Sequence, residues 1–487
     1  MNARTLSLQS HRLFLLTALL AMAAALAGLP LEQAGVLMIA FGGGLILLRW
    51  PWIAWPLLGA ALPFAAAWEI GRISLADALL AGALLLWLAD GARRKTLIIA
   101  PSWPLTGALI WILAQSLSLL GAVDLVEGGA EVVKWAEFAA VLAVIPGMLT
   151  DRQRRWLIAG LLVGGCGQAL WGLYQFSYRI GPDWFIILGR FMRASGSFGQ
   201  PNPYGGYLGL CLPVAVSLTI WAWGQVSRPN AATPDATTDQ PLRQRLTALL
   251  PALGYSAASA LIGAGLLASW SRGAWLGALA GIGITLIFRS RTAFFISLAA
   301  GVALIMALLL GSFRPGLMPA PVAERLADIP AYLGLTDVLS QPVTDENFSV
   351  IERVAHWVAA LRMWEQAPWL GVGPGNYARI YPAVRLPLWE EALGHAHNVY
   401  LNTLAETGVI GLAAYLLLWG GAMIWLIRMM RQAGERSYRA ALTLGVLGVV
   451  AHLSVHNLFD NLFVQGMTLH LALLLAAVTP RPDKKIA

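Results

Sequence analysis

Mostly apolar runs of roughly 16 to 20 residues recur along almost the whole chain, each about long enough to cross a hydrocarbon core as a helix rising 1.5 Å per residue. Lipid offers no water to a bare N–H or C=O, so runs of this kind must be helical. The composition agrees: of 487 residues, 58% are hydrophobic and only 12% charged, with a mean hydropathy of +0.67, far from the balance of a soluble domain. The expected class is an all-α polytopic membrane protein with about 12–14 transmembrane helices and one large external loop domain.

Spans are expected near residues 12–30, 34–49, 52–68, 74–90, 103–121, 132–149, 156–176, 204–223, 248–268, 274–288, 292–311, 398–427, 439–456 and 461–479. The chain then divides into N-terminal transmembrane helices over 1–176 and central ones with arginine-bearing external loops over 177–311. A large external loop domain follows over 312–397, and C-terminal transmembrane helices over 398–487. Residues 225–246, rich in Pro, Thr and Asp, read as a cytoplasmic linker.

Charge sets the expected orientation. With both termini cytoplasmic, 21 of the 33 lysines and arginines lie inside, and six of the others fall in the long loop that the charge rule does not govern. This places the long loop on the external side. The basic start followed by AMAAALAG also has the form of a cleaved signal sequence, which would leave the remaining topology unchanged. The net charge of +8 is scattered over short loops with no basic helix, which argues against nucleic acid as a partner. Cys166 and Cys211 both fall within spans, so no disulfide framework is expected. No HExxH, paired Cys/His spacing, DxD or GxSxG pattern occurs, so neither a metal nor a serine nucleophile is expected.

Four polar stretches stand against this background. In RASGSFGQPNPYGGY, residues 193–207, Asn202 before Pro203 reads as a helix start, and Arg193 has no role in a plain cap. ASWSRGAWLG, residues 268–277, sets Arg272 in a very short external turn. A cation at membrane depth costs on the order of 3 kcal/mol and normally faces a partner or a polar cavity, although snorkelling to the headgroups is an alternative. Two guanidinium forks at one external site would suit a diphosphate. LGVGPGNY, residues 370–377, is glycine-rich but lacks the lysine and strand of a nucleotide loop, so it reads first as a structural turn. In GHAHNVYLNTLAETGVIGL, residues 394–412, a helix starting near His397 places Asn398, Asn402 and Glu406 in one polar stripe. A histidine at that boundary can titrate near neutral pH and serve as a general base. His397 is the first candidate, next to Asn398, and His395 competes with it.

Taken in order, RASGSFGQPNPYGGYL, SWSRGAWLG, ERVAHWVAALRMWEQAPWLGVGPGNY and HAHNVYLNTLAETGVIGL resemble the O-antigen ligase and polymerase family of bacterial membrane glycosyltransferases. The resemblance implies a metal-independent, cofactor-free, inverting glycosyltransferase on the outer face of the cytoplasmic membrane. It would move a glycan from undecaprenyl diphosphate to an acceptor lipid, glycan or protein, with membrane lipids around it. Residue by residue, Arg193 and Arg272 resemble the family's diphosphate-binding arginines, and His397 of the HN pair resembles its base. Asp460, in HNLFDN, resembles a late functional acid and stands with His395 as an auxiliary candidate. Departures are the extra N-terminal spans and the acceptor-contacting loop, where the family diverges most, so the acceptor stays open. The alternatives are an O-antigen polymerase or a protein O-oligosaccharyltransferase of the same family. From another class comes a transporter or lipid-linked glycan flippase, whose cavity arginines would also bind diphosphate but whose usual internal repeats are missing.

Overall fold

The computed structural model describes residues 30–187, 189–227, 240–289, 342–344, 347–434 and 437–482, together with single positions between 292 and 303. Its helices are α1 (Leu31–Arg49), α2 (Ala54–Ala65), α3 (Leu75–Arg94), α4 (Trp103–Ser118), α5 (Leu125–Met148), α6 (Asp151–Tyr178) and α7 (Pro201–Val226). They continue as α8 (Gln240–Ala268), α9 (Arg272–Ile287), α10 (Phe348–Gln366), α11 (Tyr377–Val384), α12 (Val399–Gln432), α13 (Tyr438–His456) and α14 (Met467–Val478). Among the described residues the only sheet consists of two two-stranded antiparallel ribbons, Glu69–Ile70 with Ile73–Ser74 and Ile186–Ile187 with Phe191–Met192. The fold is that of an all-α polytopic membrane protein. Seven described helices are long and apolar enough to cross a membrane, and α9 and α14 are shorter apolar helices.

Twelve of the fourteen expected spans fall on described helices. The other two, 12–30 and 292–311, lie outside the described residues apart from single positions, as does most of the 225–246 linker. Polar caps place many of the starts. Ser102, Asp124, Thr150, Ser271, Asn398 and Ser437 each accept a hydrogen bond from a backbone N–H in the first turn of their helix, which satisfies a donor that would otherwise be stranded. At α5 the cap lies well before the hydrophobic run: Asp124 starts the helix, so Glu127 and Glu131 belong to its first turns rather than to a loop.

Contacts divide the chain into residues 1–55 with 81–96, and residues 56–80 with 97–487. In the smaller unit Asp90 pairs with Arg93 and Arg94 on the last turns of α3, at 2.8 and 2.9 Å. In the larger unit α7 and α13 are the most buried of the candidate membrane spans; α7 packs on α6, α8, α9 and α13, and α9 packs on α13. Helix α4 lies on α12, and α14 on α5. From the long loop, α10 packs on α12 and α11 touches both. A small apolar core that includes Met363, Tyr377, Tyr381, Ala396 and Ala405 joins these pieces.

LGVGPGNY is a structural turn here. Helix α12 breaks at Gly408, where φ is 65°, and the carbonyls freed by the break are taken by the turn. Val372 donates to Ala405 O at 3.0 Å and Gly373 to Glu406 O at 2.9 Å. A Cβ on Gly371 would lie 2.2 Å from the Glu406 carbonyl carbon, so no side chain fits at that crossing. Asn376 then ties the turn to the start of α5, accepting from Asp124 N at 2.7 Å and donating to Asp124 O at 3.1 Å.

Candidate active site

The N-terminal ends of α7, α9 and α12 meet the C-terminal end of α13, and the polar residues singled out in the sequence gather there. Helix α7 begins at Pro201 with Gln200 as its cap residue, and Gln200 makes no side-chain cap bond. This corrects the expected start at Asn202–Pro203: proline already suits the first helical position, which leaves the Asn202 side chain free for another partner. Its Oδ1 accepts from Arg193 Nη2 at 3.0 Å, while Arg193 Nε donates to Ser269 O at 3.1 Å. Ala194 N donates to Ala268 O at 2.9 Å, so the Arg193 segment is laced onto the turn between α8 and α9. Arg272 is the first residue of α9 on that same turn, behind the Ser271 cap. A cavity of about 450 Å³ opens beside Arg193, lined by Trp184, Phe185, Gly199, Gln200 and Asn202. It joins a guanidinium and the positive end of the α7 dipole, a combination that favours an anion.

The second half of the site is the stretch before α12. Asn398 caps the helix, its side chain accepting from Leu401 N at 3.1 Å, and His397 precedes it with φ at 50°. The expected polar stripe is present, and each member is a tether. Asn402 accepts from Ala396 N at 3.0 Å, and Glu406 accepts from Tyr377 N at 3.0 Å. Val399 N donates to Asn457 O at 2.9 Å, which fastens this stretch to the turn after α13.

That turn carries Asp460, only 5% exposed. His397 Nδ1 lies 3.5 Å from Asp460 Oδ1, and His395 Nε2 lies 3.8 Å from the same oxygen. Burial alone would push the Asp460 carboxyl up, but the close His397 Nδ1 and the charges of His395, His397 and His456 hold it well below the usual carboxylate range. His395 is pushed down to about 4, by burial first and then by His397.

Three potential ligand atoms, from His395, His397 and Asp460, thus lie within 4.8 Å of one another. The tautomer of His395 does not fit a metal. Its Nδ1 accepts from His397 N at 3.0 Å, so a neutral ring carries its proton on Nε2 and offers Asp460 a donor, whereas a ligating nitrogen must present a lone pair. Both ring nitrogens of His397 are buried without a hydrogen-bond partner, and Nδ1 is the one that faces the carboxylate, so a proton on Nδ1 puts the lone pair on Nε2.

His456, which the sequence reading did not single out, connects the two halves. Its ring lies 3.1 Å from where a Cβ would stand on Gly206 of α7 and, equally, on Gly273 of α9, the residue after Arg272. It is 1% exposed and one helical turn before Asp460. Glu352, Arg353 and His356 on α10 were also missed as individual residues. Arg353 lies within electrostatic reach of His395 and His456, and Glu352 within reach of His397, with its own carboxyl raised by burial. The available signal was spacing: His452, His456 and Asp460 recur every four residues, as Glu352 and His356 do.

Fold and site together define a polytopic helical membrane protein with imidazole, carboxylate and guanidinium groups gathered where its helix ends meet. Residues 257–416 match the family model described as O-antigen ligase. The match supports an O-antigen ligase-like reading of that segment, a glycosyltransferase-like family acting on lipid-linked glycans and acceptors. The search of curated proteins gave no match.

Proposed function

We propose that the protein is a metal-independent, inverting glycosyltransferase of the O-antigen ligase type, moving a glycan from undecaprenyl diphosphate to an acceptor hydroxyl on the periplasmic face of the inner membrane. The observation that carries this reading is the His397–Asp460 pair, in which Nδ1 faces the carboxylate at 3.5 Å and Nε2 is the ring nitrogen turned away from it. His397 Nε2 takes the proton of the acceptor hydroxyl as its oxygen attacks the anomeric carbon from the face opposite the diphosphate. The bond between that carbon and the phosphate oxygen breaks, and the leaving diphosphate keeps the electron pair. Arg193 and Arg272 hold its growing charge. Asp460 fixes the imidazole and stabilises the imidazolium, as a carboxylate does behind a catalytic histidine.

The apolar lining contributed by Trp184 and Phe185 beside Arg193 suits a substrate with an anionic head and a greasy neighbour. Termini in the cytoplasm and the α10–α11 segment outside follow from the charge distribution. The acceptor is a lipid, a glycan or a protein, which also covers the polymerase and protein O-oligosaccharyltransferase readings of the same family. The test uses purified protein, undecaprenyl-diphosphate glycan and each acceptor class, following transfer and release of the diphosphate. Arg193→Ala and Arg272→Ala are expected to lose about 100-fold or more in kcat/KM, the scale of a lost charge-stabilising donor. Lipid translocation without transfer in the unmodified protein would replace this reading by the flippase one.

A further inference from the structure

His397 stands in the left-handed backbone region, at φ 50°, which a residue with a Cβ adopts at a cost and keeps only when its surroundings over-determine it. Two holding contacts are its N–H to His395 Nδ1 and its Nδ1 to Asp460. A third comes from α10. The ring of His356 meets that of His397 edge to face, with centroids 5.9 Å apart and planes at 84°.

His356 is 1% exposed and is itself fixed on two sides. It stacks on Tyr381 at 4.6 Å and 12°, and its Nδ1 lies 2.9 Å from the Tyr377 hydroxyl. That hydroxyl donates to the His356 carbonyl at 3.1 Å. The phenol has one proton and commits it there, so the imidazole Nδ1–H closes the other bond. Tyr377 N is anchored on Glu406 of α12, and the Tyr381 hydroxyl donates to Trp389 O at 3.1 Å. A continuous run of fixed groups therefore leads from α12 through Tyr377 and His356 to the ring of His397.

We propose that His356, held by Tyr377 and Tyr381, is a positioning residue that sets the plane of the His397 imidazole and keeps its Nε2 aimed at the acceptor. The proposal rests on His397 being the base. Burial, and then the charges of His397 and His395, push His356 down to about 4, so it is neutral while His397 works and does not compete for the acceptor proton. The other titratable or charged groups around His397 are Glu352 and Arg353 on α10, His395, and Asp460 with His456 at the end of α13. The base is then complete only when the α10–α11 segment is docked on α12.

The experiment measures transfer from undecaprenyl-diphosphate glycan by full-length Tyr377→Phe, His356→Phe, the double variant and His397→Ala, each normalised to folded protein by gel filtration. Tyr377→Phe deletes a single oxygen and keeps the packing. Both single variants are expected to lower kcat about tenfold through misorientation, leave the donor KM within about twofold, and move the acidic limb of the kcat/KM pH profile. The double variant should be no worse than the weaker single, because one unit is broken once. Unchanged kcat and pH profile in both single variants, with His397→Ala inactive, would overturn the positioning role while leaving the base in place. A lower kcat with an unmoved profile would make His356 structural only and equally overturn it. Activity in His397→Ala removes the base itself, a separate failure.

Discussion

A carboxylate buried beside two imidazoles keeps its charge only while those rings face it with donors, and Asp460 has both rings and the N–H of Asn461, at 2.9 Å, on one oxygen. Asp460→Asn keeps the size and removes the charge that orders His397. A fall in kcat of about 100-fold or more is expected, since an amide in this position favours the wrong tautomer; near-normal turnover would show that His397 needs no carboxylate. The neighbouring histidines make stability depend on pH. His356 and His395 are pushed down to about 4 in the folded chain, against about 6.5 when unfolded. The unfolded state therefore binds more protons between those values. Their contribution is intact above about pH 6.5 and is lost as pH falls toward 4. Glu352, raised by burial, works in the opposite sense at the acidic end. Thermal unfolding in detergent at pH 7.5, 6 and 5 should give a falling midpoint, and a flat series would contradict the buried neutral histidines. The motif GHAHN was legible as a site because polar, proton-active residues are costly at the edge of an apolar helix. That Asp460 and His356 flank His397 was not legible, since neither lies near it in sequence.

At the level of the helices, Arg154 shows what composition alone misreads. In the sequence it counts as one more cytoplasmic charge, yet it is 4% exposed and donates to the carbonyls of Pro146, Leu149, Ala477 and Thr479. It gathers carbonyls at the C-terminal ends of α5 and α14, groups without intrahelical partners. Arg154→Met should cost on the order of 3 kcal/mol, because several buried acceptors lose a charged donor together. A lowered unfolding midpoint with normal kcat per folded molecule is the expected result; an unchanged midpoint would mean that water replaces the guanidinium. The glycine-rich turn offers a second case. Its lack of a phosphate-loop lysine was enough to discount nucleotide binding, but only the break of α12 at Gly408 explains what it does. Gly371→Ala, at φ 69° and against the Glu406 carbonyl, should reduce the yield of folded protein far more than an alanine placed at Gly254, where nothing lies within 4 Å and the backbone is helical.

For the molecule as a whole, the spans were readable because lipid imposes one rule on every segment, and that rule acts locally along the chain. Helix ends were read less well where polar turns continue a helix, as at Glu127 and Glu131 of α5, because hydropathy marks the membrane rather than the helix. The joining of the Arg193 segment to the start of α9, and of His456, Asp460 and His397 to one another, depends on α7, α9, α12 and α13 packing side by side, and single-chain periodicity carries no information about which helices become neighbours. Family resemblance supplied the pairing of the arginines with the histidine; the turn at Ala268–Ser269 ties the Arg193 segment to the start of α9, which carries Arg272. The decisive measurement is single-turnover transfer from undecaprenyl-diphosphate glycan to acceptor by purified protein, comparing the unmodified chain with His397→Ala and His395→Ala across pH. Transfer should vanish in His397→Ala, by about 100-fold or more, the scale of a lost general base, and persist in His395→Ala. Full transfer by His397→Ala, or its loss in His395→Ala alone, would contradict the assignment.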